Sequence, residues 1–247
     1  MISVDRLTKK FGGFTAVNEV NFSIDKGEFV GLIGPNGSGK STIFNLIAGT
    51  LKSTTGSISF EGQNISGFLP HKICHLGIAR TFQIPRPFRE LSILENCYVT
   101  GYYGQSYKRS RKKALINAEK VLEIVDLHKV SKESVEILGA AGLKKLELAR
   151  ALSTEPHLLL ADESLGGLDE KEMKQAAVML ENIRSEMKIT IIWVEHIMGV
   201  LMRVVDRVMV LDYGKLIFDG TPHDAVNDLK VVEVYLGNKK LELTSQN

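Results

Sequence analysis

The chain has 247 residues, 44% of them hydrophobic, and a formal net charge of +2. This is a globular composition, large enough for one α/β domain with an insertion, and its charge gives no ground for nucleic-acid binding. Two cysteines, Cys74 and Cys97, are too few for a disulfide framework and fit a reducing cytosol; the opening "MISVDRLTKKF" has no signal-peptide core, and the most apolar run, "ITIIWV", is cut off at Glu195 far short of a membrane span.

In chain order, "ISVDRL", "VNFSID" and "GSISFEG", separated by turns, predict an antiparallel patch. Within this region "GEFVGLIGPNGSGKSTIFNLIAG" predicts strand, glycine loop and helix. "HKICH" predicts a short surface helix before a strand in "GIARTFQ". From about Pro85 to Leu152 no strand is expected; Leu115, Ala118, Leu122 and Val125 recur at helical spacing, and a second amphipathic helix runs through "KKLELARAL". "HLLLADE" and "ITIIWVEH" are short buried strands. Between them one helix places Met173, Ala176, Ala177, Leu180, Ile183 and Met187 on a single face. "DRVMVLDYGKLIFDGTP" predicts a hairpin turning at Tyr213-Gly214, and the end of the chain, 238–247, a frayed tail. Strands alternating with helices imply a mostly parallel sheet covered on both faces. The expected division is an α/β core with its antiparallel β subdomain over 1–84 and 153–247, interrupted by a helical subdomain over 85–152.

"GPNGSGKS", Gly34 to Ser41, fits the phosphate-loop pattern in its required context, after a strand and opening a helix. Gly34, Pro35, Asn36, Gly37, Ser38, Gly39, Lys40, Ser41 and Thr42 are therefore the candidate nucleotide contacts. Glycines let backbone N–H groups curl around phosphate oxygens, and the helix N-terminus adds its dipole. Lys40 is expected at the β- and γ-phosphates and Ser41 on Mg²⁺. "LLLADE" ends a strand in two carboxylates: Asp162 for the metal and Glu163 to polarise the water that attacks the γ-phosphate. The ends of these two strands are expected to lie side by side.

With the phosphate loop, "ARTFQ", "LLLADE", "GGLD" and "WVEHIM" in this order and spacing, nearly the whole chain resembles the ATP-binding subunits of ABC transporters. "GIARTFQIPRPF", "EHIMGVLMRVVDRVMVLDYGKLIFDGTP" and "VVEVYLG" are most similar to the ATPases of branched-chain amino acid importers; lipopolysaccharide-export ATPases are the nearest competing assignment. The resemblance implies a RecA-like phosphate-loop fold and ATP hydrolysis coupled to transmembrane transport. Phe11 and Val17 would surround the adenine, and Gln83 would sense the γ-phosphate and Mg²⁺. His196 would grip the γ-phosphate, and Asp169 would meet a second ATPase subunit. Two integral membrane permease subunits and, indirectly, an extracytoplasmic solute-binding protein are the implied partners, with no nucleic acid among them. The chain would sit peripherally on the cytoplasmic face of the cell (inner) membrane.

In this family a short signature, L-S-G-G-Q or L-S-Y-G-Q, opens the last helix of the helical insertion. Here it reads Leu138-Gly139-Ala140-Ala141-Gly142. Gly139 and Ala141 are the candidate contacts to an ATP held by the other subunit. The missing serine removes a hydrogen bond to a charged group worth about 1.5–3 kcal/mol, roughly tenfold to a hundredfold. In a heterodimer this predicts asymmetric hydrolysis, because the altered signature serves the partner's ATP. Ser164 replaces the usual proline after the catalytic glutamate, and Ala161 a common leucine.

Two patterns are set aside. His71, Cys74 and His75 share a helical face but form too small a cluster for a metal site. The run Lys108 to Lys113 is a solvated helix start, with proximity to anionic headgroups a minor alternative. A DNA- or ribosome-acting ABC ATPase is disfavoured by the short gap between Lys40 and Asp162 and by the single ATPase unit; a non-hydrolysing subunit is disfavoured by the intact Lys40, Asp162, Glu163 and His196.

Overall fold

Alternating runs near the start of the chain and unbroken apolar runs further on build two different sheets. The computed structural model describes residues 1–104, 110–162, 170–195 and 198–236. In it β1 (Ile2–Phe11) and β2 (Phe14–Ile24) form an antiparallel hairpin, followed by β3 (Phe29–Ile33), α1 (Lys40–Ile47), β4 (Thr55–Phe60) and β5 (Gln63–Asn64). A four-stranded antiparallel sheet has the order β2-β1-β4-β5. Ile2, Val4 and Leu7 point one way into its core while the intervening side chains are exposed, as one-sided burial requires.

The chain continues through α2 (Pro70–His75), β6 (Ile78–Arg80), α3 (Ile93–Tyr103), α4 (Arg111–Ile124) and α5 (Ala140–Ser153). It then forms β7 (Leu158–Asp162), α6 (Glu170–Met187), β8 (Thr190–Val194), α7 (Met198–Leu201), β9 (Arg207–Asp212), β10 (Lys215–Gly220), α8 (Pro222–Asn227) and α9 (Leu229–Leu236). The second sheet is six-stranded, in the order β10-β9-β3-β8-β7-β6, with every pairing parallel except that of β10 with β9. The β9–β10 hairpin turns where expected, at Tyr213 (φ 40) and Gly214 (φ 77), the left-handed pair that a tight hairpin favours.

β8 lies between β3 and β7, so the two strands that carry the phosphate loop and Asp162 are not neighbours as the sequence had implied. Unbroken apolar runs show that strands are buried on both faces but do not rank them within the sheet. Here α6 carries the chain over the sheet and inserts β8 in the gap. α1 nevertheless packs across the intervening strand against β7, the strand that ends in Asp162.

Strand residues alternate between two apolar clusters. Phe29, Ile33, Leu159, Ala161, Ile191, Trp193, Val208 and Val210 face one of them, together with α3 to α9. Val30, Leu32, Leu158, Leu160, Ile192, Val194, Met209 and Leu211 face the other, with α1 and the antiparallel sheet. The helical segment contributes Ile93, Cys97, Ala118, Leu122 and Leu146 to the first cluster rather than forming a core of its own. On α4 the buried stripe is Ala114, Ala118, Val121 and Leu122, continued by Val125, whereas Leu115 is 41% exposed; the expected apolar face was off by one position at its start, about 100° of helix rotation. Helix α6 buries Ala177, Leu180 and Ile183 as its spacing predicts. Among the described residues no helix is long and apolar enough to cross a membrane. The tail 238–247 lies outside the described residues.

Candidate active site

β3 runs out at the C-terminal edge of the parallel sheet, the edge where open α/β sheets bind ligands. The chain turns at Gly34 (φ +151), Gly37 (φ +80) and Gly39 (φ +110) before α1 begins at Lys40. Two of these glycines are sterically required: a Cβ on Gly34 would stand 2.2 Å from the Leu211 carbonyl oxygen, and one on Gly39 2.7 Å from that of Ala16. Gly39 caps α1 without a side-chain hydrogen bond, and no acidic residue occupies the helix's first turn, which leaves the helix dipole to favour an anion there.

Lys40 is only 4% exposed, and its ammonium donates to the carbonyl oxygens of Gly34 (2.8 Å) and Pro35 (2.9 Å), so its charge is held within the loop. The Ser38 hydroxyl is buried with no hydrogen-bond partner, an orphan that a phosphate oxygen would satisfy. Asn36, Gly37 and Ser41 are exposed, and Pro35 and Thr42 half-buried. The loop is braced from behind: the Asn18 amide donates to the Gly214 carbonyl (2.8 Å), and the Gly214 amide to the Ser38 carbonyl (2.9 Å). The β9–β10 turn thus ties β2 to the phosphate loop.

Phe11 is 47% exposed at the end of β1, paired in register with Phe14 and with the Lys9 ammonium 4.9 Å from its ring centroid. It presents an aromatic face that a base can stack on. Val17 is buried (0% exposed), with a methyl 3.5 Å from where a Cβ on Gly39 would stand, and forms part of the floor of the loop.

Asp162 ends β7 and is buried; its carboxylate Oδ2 accepts from Arg80 Nη2 at 2.6 Å, and its amide donates to Thr81 Oγ1 at 3.1 Å. An all-oxygen donor set of the Ser41 hydroxyl and Asp162 carboxylate, on elements that pack together, suits Mg²⁺. Gln83 follows β6 and is exposed. Gly139 caps α5 in extended conformation (φ −69, ψ −178), exposed, with Ala141 half-buried in the first turn. Glu163, Asp169, His196 and Ser164 lie outside the described residues. The pattern set aside as a metal cluster is helix α2, where Cys74 Sγ donates to the Gly104 carbonyl and His75 Nε2 lies 3.1 Å from the Tyr103 carbonyl; no group of metal-ligating side chains occurs among the described residues.

Sequence reasoning singled out "ARTFQ" for its glutamine and passed over its arginine. It also missed the hold that α5 has on the stretch after Gln83. Arg150 donates to Glu147 (2.7 Å) and to the Arg86 carbonyl (2.7 Å), and its guanidinium lies 5.0 Å from the Phe88 ring centroid. Burial pushes the Glu147 carboxyl above its ordinary range, with Arg150 and the backbone of Arg86 and Phe82 pulling the other way. The apolar look of "KLELARAL" concealed an acid facing inward.

A glycine-built cradle with a buried lysine, opening a helix at the edge of a parallel sheet beside a buried strand-end aspartate, defines a P-loop nucleotide-binding protein. Residues 17–166 match the ABC transporter family, and the chain belongs to it as an ATPase. Among curated relatives, it is 34% identical to the high-affinity branched-chain amino acid transport ATP-binding protein BraF of Pseudomonas aeruginosa and 35% to LivG of Escherichia coli; each match covers 96% of this chain and 98% of the relative. Among solved structures, it is similar to an ADP conformation of an ATP-binding cassette of an ABC transporter (29% identity, TM-score 0.86, covering 96% of this chain and 98% of that one). It is also similar to a dimeric post-hydrolysis state of an ATP-binding cassette bound to ADP and Pi (26% identity, TM-score 0.80, covering 90% and 99%).

Proposed function

We propose that this chain is the ATP-hydrolysing subunit of an importer of branched-chain or related amino acids. It would dock on two integral membrane permease subunits at the cytoplasmic face of the cell membrane and pair with a second ATPase subunit. The observation that carries this reading is the intact phosphate loop with its buried Lys40, joined to 34% identity over nearly the full length of a branched-chain amino acid transport ATP-binding protein. A solute-binding protein outside the membrane is the indirect partner.

In this reading the residues divide the labour as follows. Backbone amides of Gly37, Gly39 and Lys40 and the start of α1 hold the phosphates, and Lys40 exchanges its loop carbonyls for β- and γ-phosphate oxygens. Phe11 stacks on the adenine. Ser41, Asp162 and Gln83 would hold Mg²⁺, which when bound would neutralise charge developing on the phosphates. Glu163 orients and polarises the attacking water, His196 holds that water and the γ-phosphate in line, and Asp169 meets the partner subunit. Gly139 and Ala141 bring the amides of α5 to the partner's ATP. ATP binding closes the pair and phosphate release opens it. The segment from Gln83 to Phe88, gripped by Arg150, transmits that stroke to the permease subunits. The helical segment 85–152 would carry the signature, and the core 1–84 with 153–247 the phosphate loop.

The test is reconstitution of the chain with its permease subunits and second ATPase in vesicles. ATP-dependent uptake of labelled leucine, isoleucine or valine that Glu163→Gln cuts to what the partner's ATP alone supports is expected. Uptake indifferent to Glu163→Gln would overturn the hydrolytic assignment; ATP hydrolysis without uptake of any of the three would overturn the substrate class.

A further inference from the structure

We propose that Arg80 is a positioning residue for the metal site: it holds Asp162 by one carboxylate oxygen and ties it to α1, so that the other oxygen is presented to Mg²⁺. The proposal rests on the nucleotide site described above but assigns a role to a residue outside it.

Arg80 is the last residue of β6, in parallel register with Leu160 of β7, so its side chain starts two positions from Asp162 on the next strand. The side chain is 10% exposed. Nη2 donates to Asp162 Oδ2 at 2.6 Å, and Nη1 donates to Asn45 Oδ1 at 2.6 Å. Asn45 belongs to α1, the helix opened by the phosphate loop, and its Oδ1 also accepts from Thr50 Oγ1 at 3.0 Å. Two aromatic rings lie within cation–π range of the guanidinium, with centroids at 5.8 Å (Phe44) and 5.3 Å (Phe82). The next residue, Thr81, accepts the Asp162 amide. Arg80 and Thr81 together therefore fix the aspartate's side chain and backbone. An arginine fork suits such a position because a planar guanidinium serves two acceptors in fixed directions, whereas an ammonium is a point charge.

A purely structural role is the plain alternative, since a buried carboxylate needs a counter-charge whatever it does next. Two features favour positioning. Only Oδ2 is engaged by Arg80. The second arm of the fork goes to the phosphate-loop helix rather than to another strand, so it fixes the distance between the two elements that would share the metal. Outer partners that orient a metal ligand are worth about tenfold to a hundredfold in metal affinity. A third alternative has the opposite sign. If Arg80 acted only as a nearby positive charge, it would weaken Mg²⁺ binding, and removing it would strengthen that binding.

The experiment is a Mg²⁺ titration of ATP affinity on the full chain, read by calorimetry, for wild type, Arg80→Met, Arg80→Lys and Asn45→Ala. The expected result is a half-saturating Mg²⁺ concentration raised about tenfold in Arg80→Met, with partial recovery in Arg80→Lys. Asn45→Ala should shift in the same direction by a smaller factor, with the affinity measured in excess chelator little changed. If Arg80→Met does not fold, Arg80→Lys and Asn45→Ala decide by the same direction of shift. An unchanged Mg²⁺ midpoint with a lowered melting temperature would make Arg80 structural only, and a lowered midpoint would make it an opposing charge; either overturns the proposal. A wild type with no Mg²⁺-dependent ATP affinity would instead overturn the nucleotide-site reading itself.

Discussion

Gly139→Ser replaces the residue that caps α5. The backbone there is extended (φ −69, ψ −178), and a Cβ would meet nothing within 4 Å, so serine enters without strain. Its hydroxyl can cap the first turn of α5, where serine exceeds glycine by only a few tenths of a kcal/mol. For a chain of this size that moves the melting temperature by about 1 °C. Against the γ-phosphate of a partner-bound ATP the same hydroxyl would, in the proposed assembly, make a hydrogen bond to a charged group, about 1.5–3 kcal/mol, or roughly tenfold to a hundredfold in rate. The two effects separate cleanly. In the assembled complex, Glu163→Gln in this chain silences its own ATP and leaves only the partner's to turn over. Adding Gly139→Ser should then raise the residual ATPase rate by about ten- to a hundredfold, with almost no change in melting. With the partner's catalytic glutamate disabled instead, Gly139→Ser should change nothing. No rise in the first background, or an equal rise in both, refutes the assignment of this helix start to the partner's site.

Three further outcomes are expected. Gly34→Ala drives a Cβ to 2.2 Å from the Leu211 carbonyl in a left-handed backbone, strain of about 1–3 kcal/mol before any overlap is counted; melting should fall and ATP affinity with it, and an unaltered variant would contradict the loop geometry. Glu147 carries a carboxyl raised by burial, which binds its proton more tightly folded than unfolded. Its contribution is therefore complete below the ordinary carboxylate range and is lost as pH rises through the raised value. The melting temperature of Glu147→Gln minus that of wild type should accordingly increase as pH rises above the ordinary carboxylate range, and a difference that shrinks would contradict the assignment. Leu122→Ala opens a hole in the cluster shared by α4 and the central sheet and should cost about 2–5 kcal/mol in one cooperative transition; a separate early melting step would contradict a shared core.

What could be read in advance depended on how local the signal was. The phosphate loop was legible because its glycines, lysine and serine act within eight consecutive residues, Gly34 to Ser41, and because a strand and a helix flank them. The turn at Tyr213-Gly214 was legible for the same reason, since a two-residue left-handed turn has its own chemistry. Strand order was not, because "FVGLI", "LLLAD" and "TIIWV" are equally apolar and their placement follows from how each crossover packs. Nor was the Arg80–Asp162 pair, whose partners are 82 positions apart and meet only once β6 and β7 align. The burial of Val17 under Gly39 was not legible either, because its neighbourhood in sequence, next to an exposed aromatic hairpin, says nothing about the loop that folds over it. The alternation of each central strand between two apolar clusters was hidden by the very burial that made the strands easy to find.

The most direct measurement is the binding of ATP with Mg²⁺ to the purified chain, compared between wild type and Lys40→Ala. Lys40 sits 4% exposed inside the loop, its ammonium 2.8 and 2.9 Å from the carbonyls it would leave for phosphate. The account predicts saturable, Mg²⁺-dependent binding by wild type and a loss of at least about tenfold in Lys40→Ala, the equivalent of about one charge-assisted hydrogen bond. Equal affinity in the two proteins, or none in wild type, would contradict it.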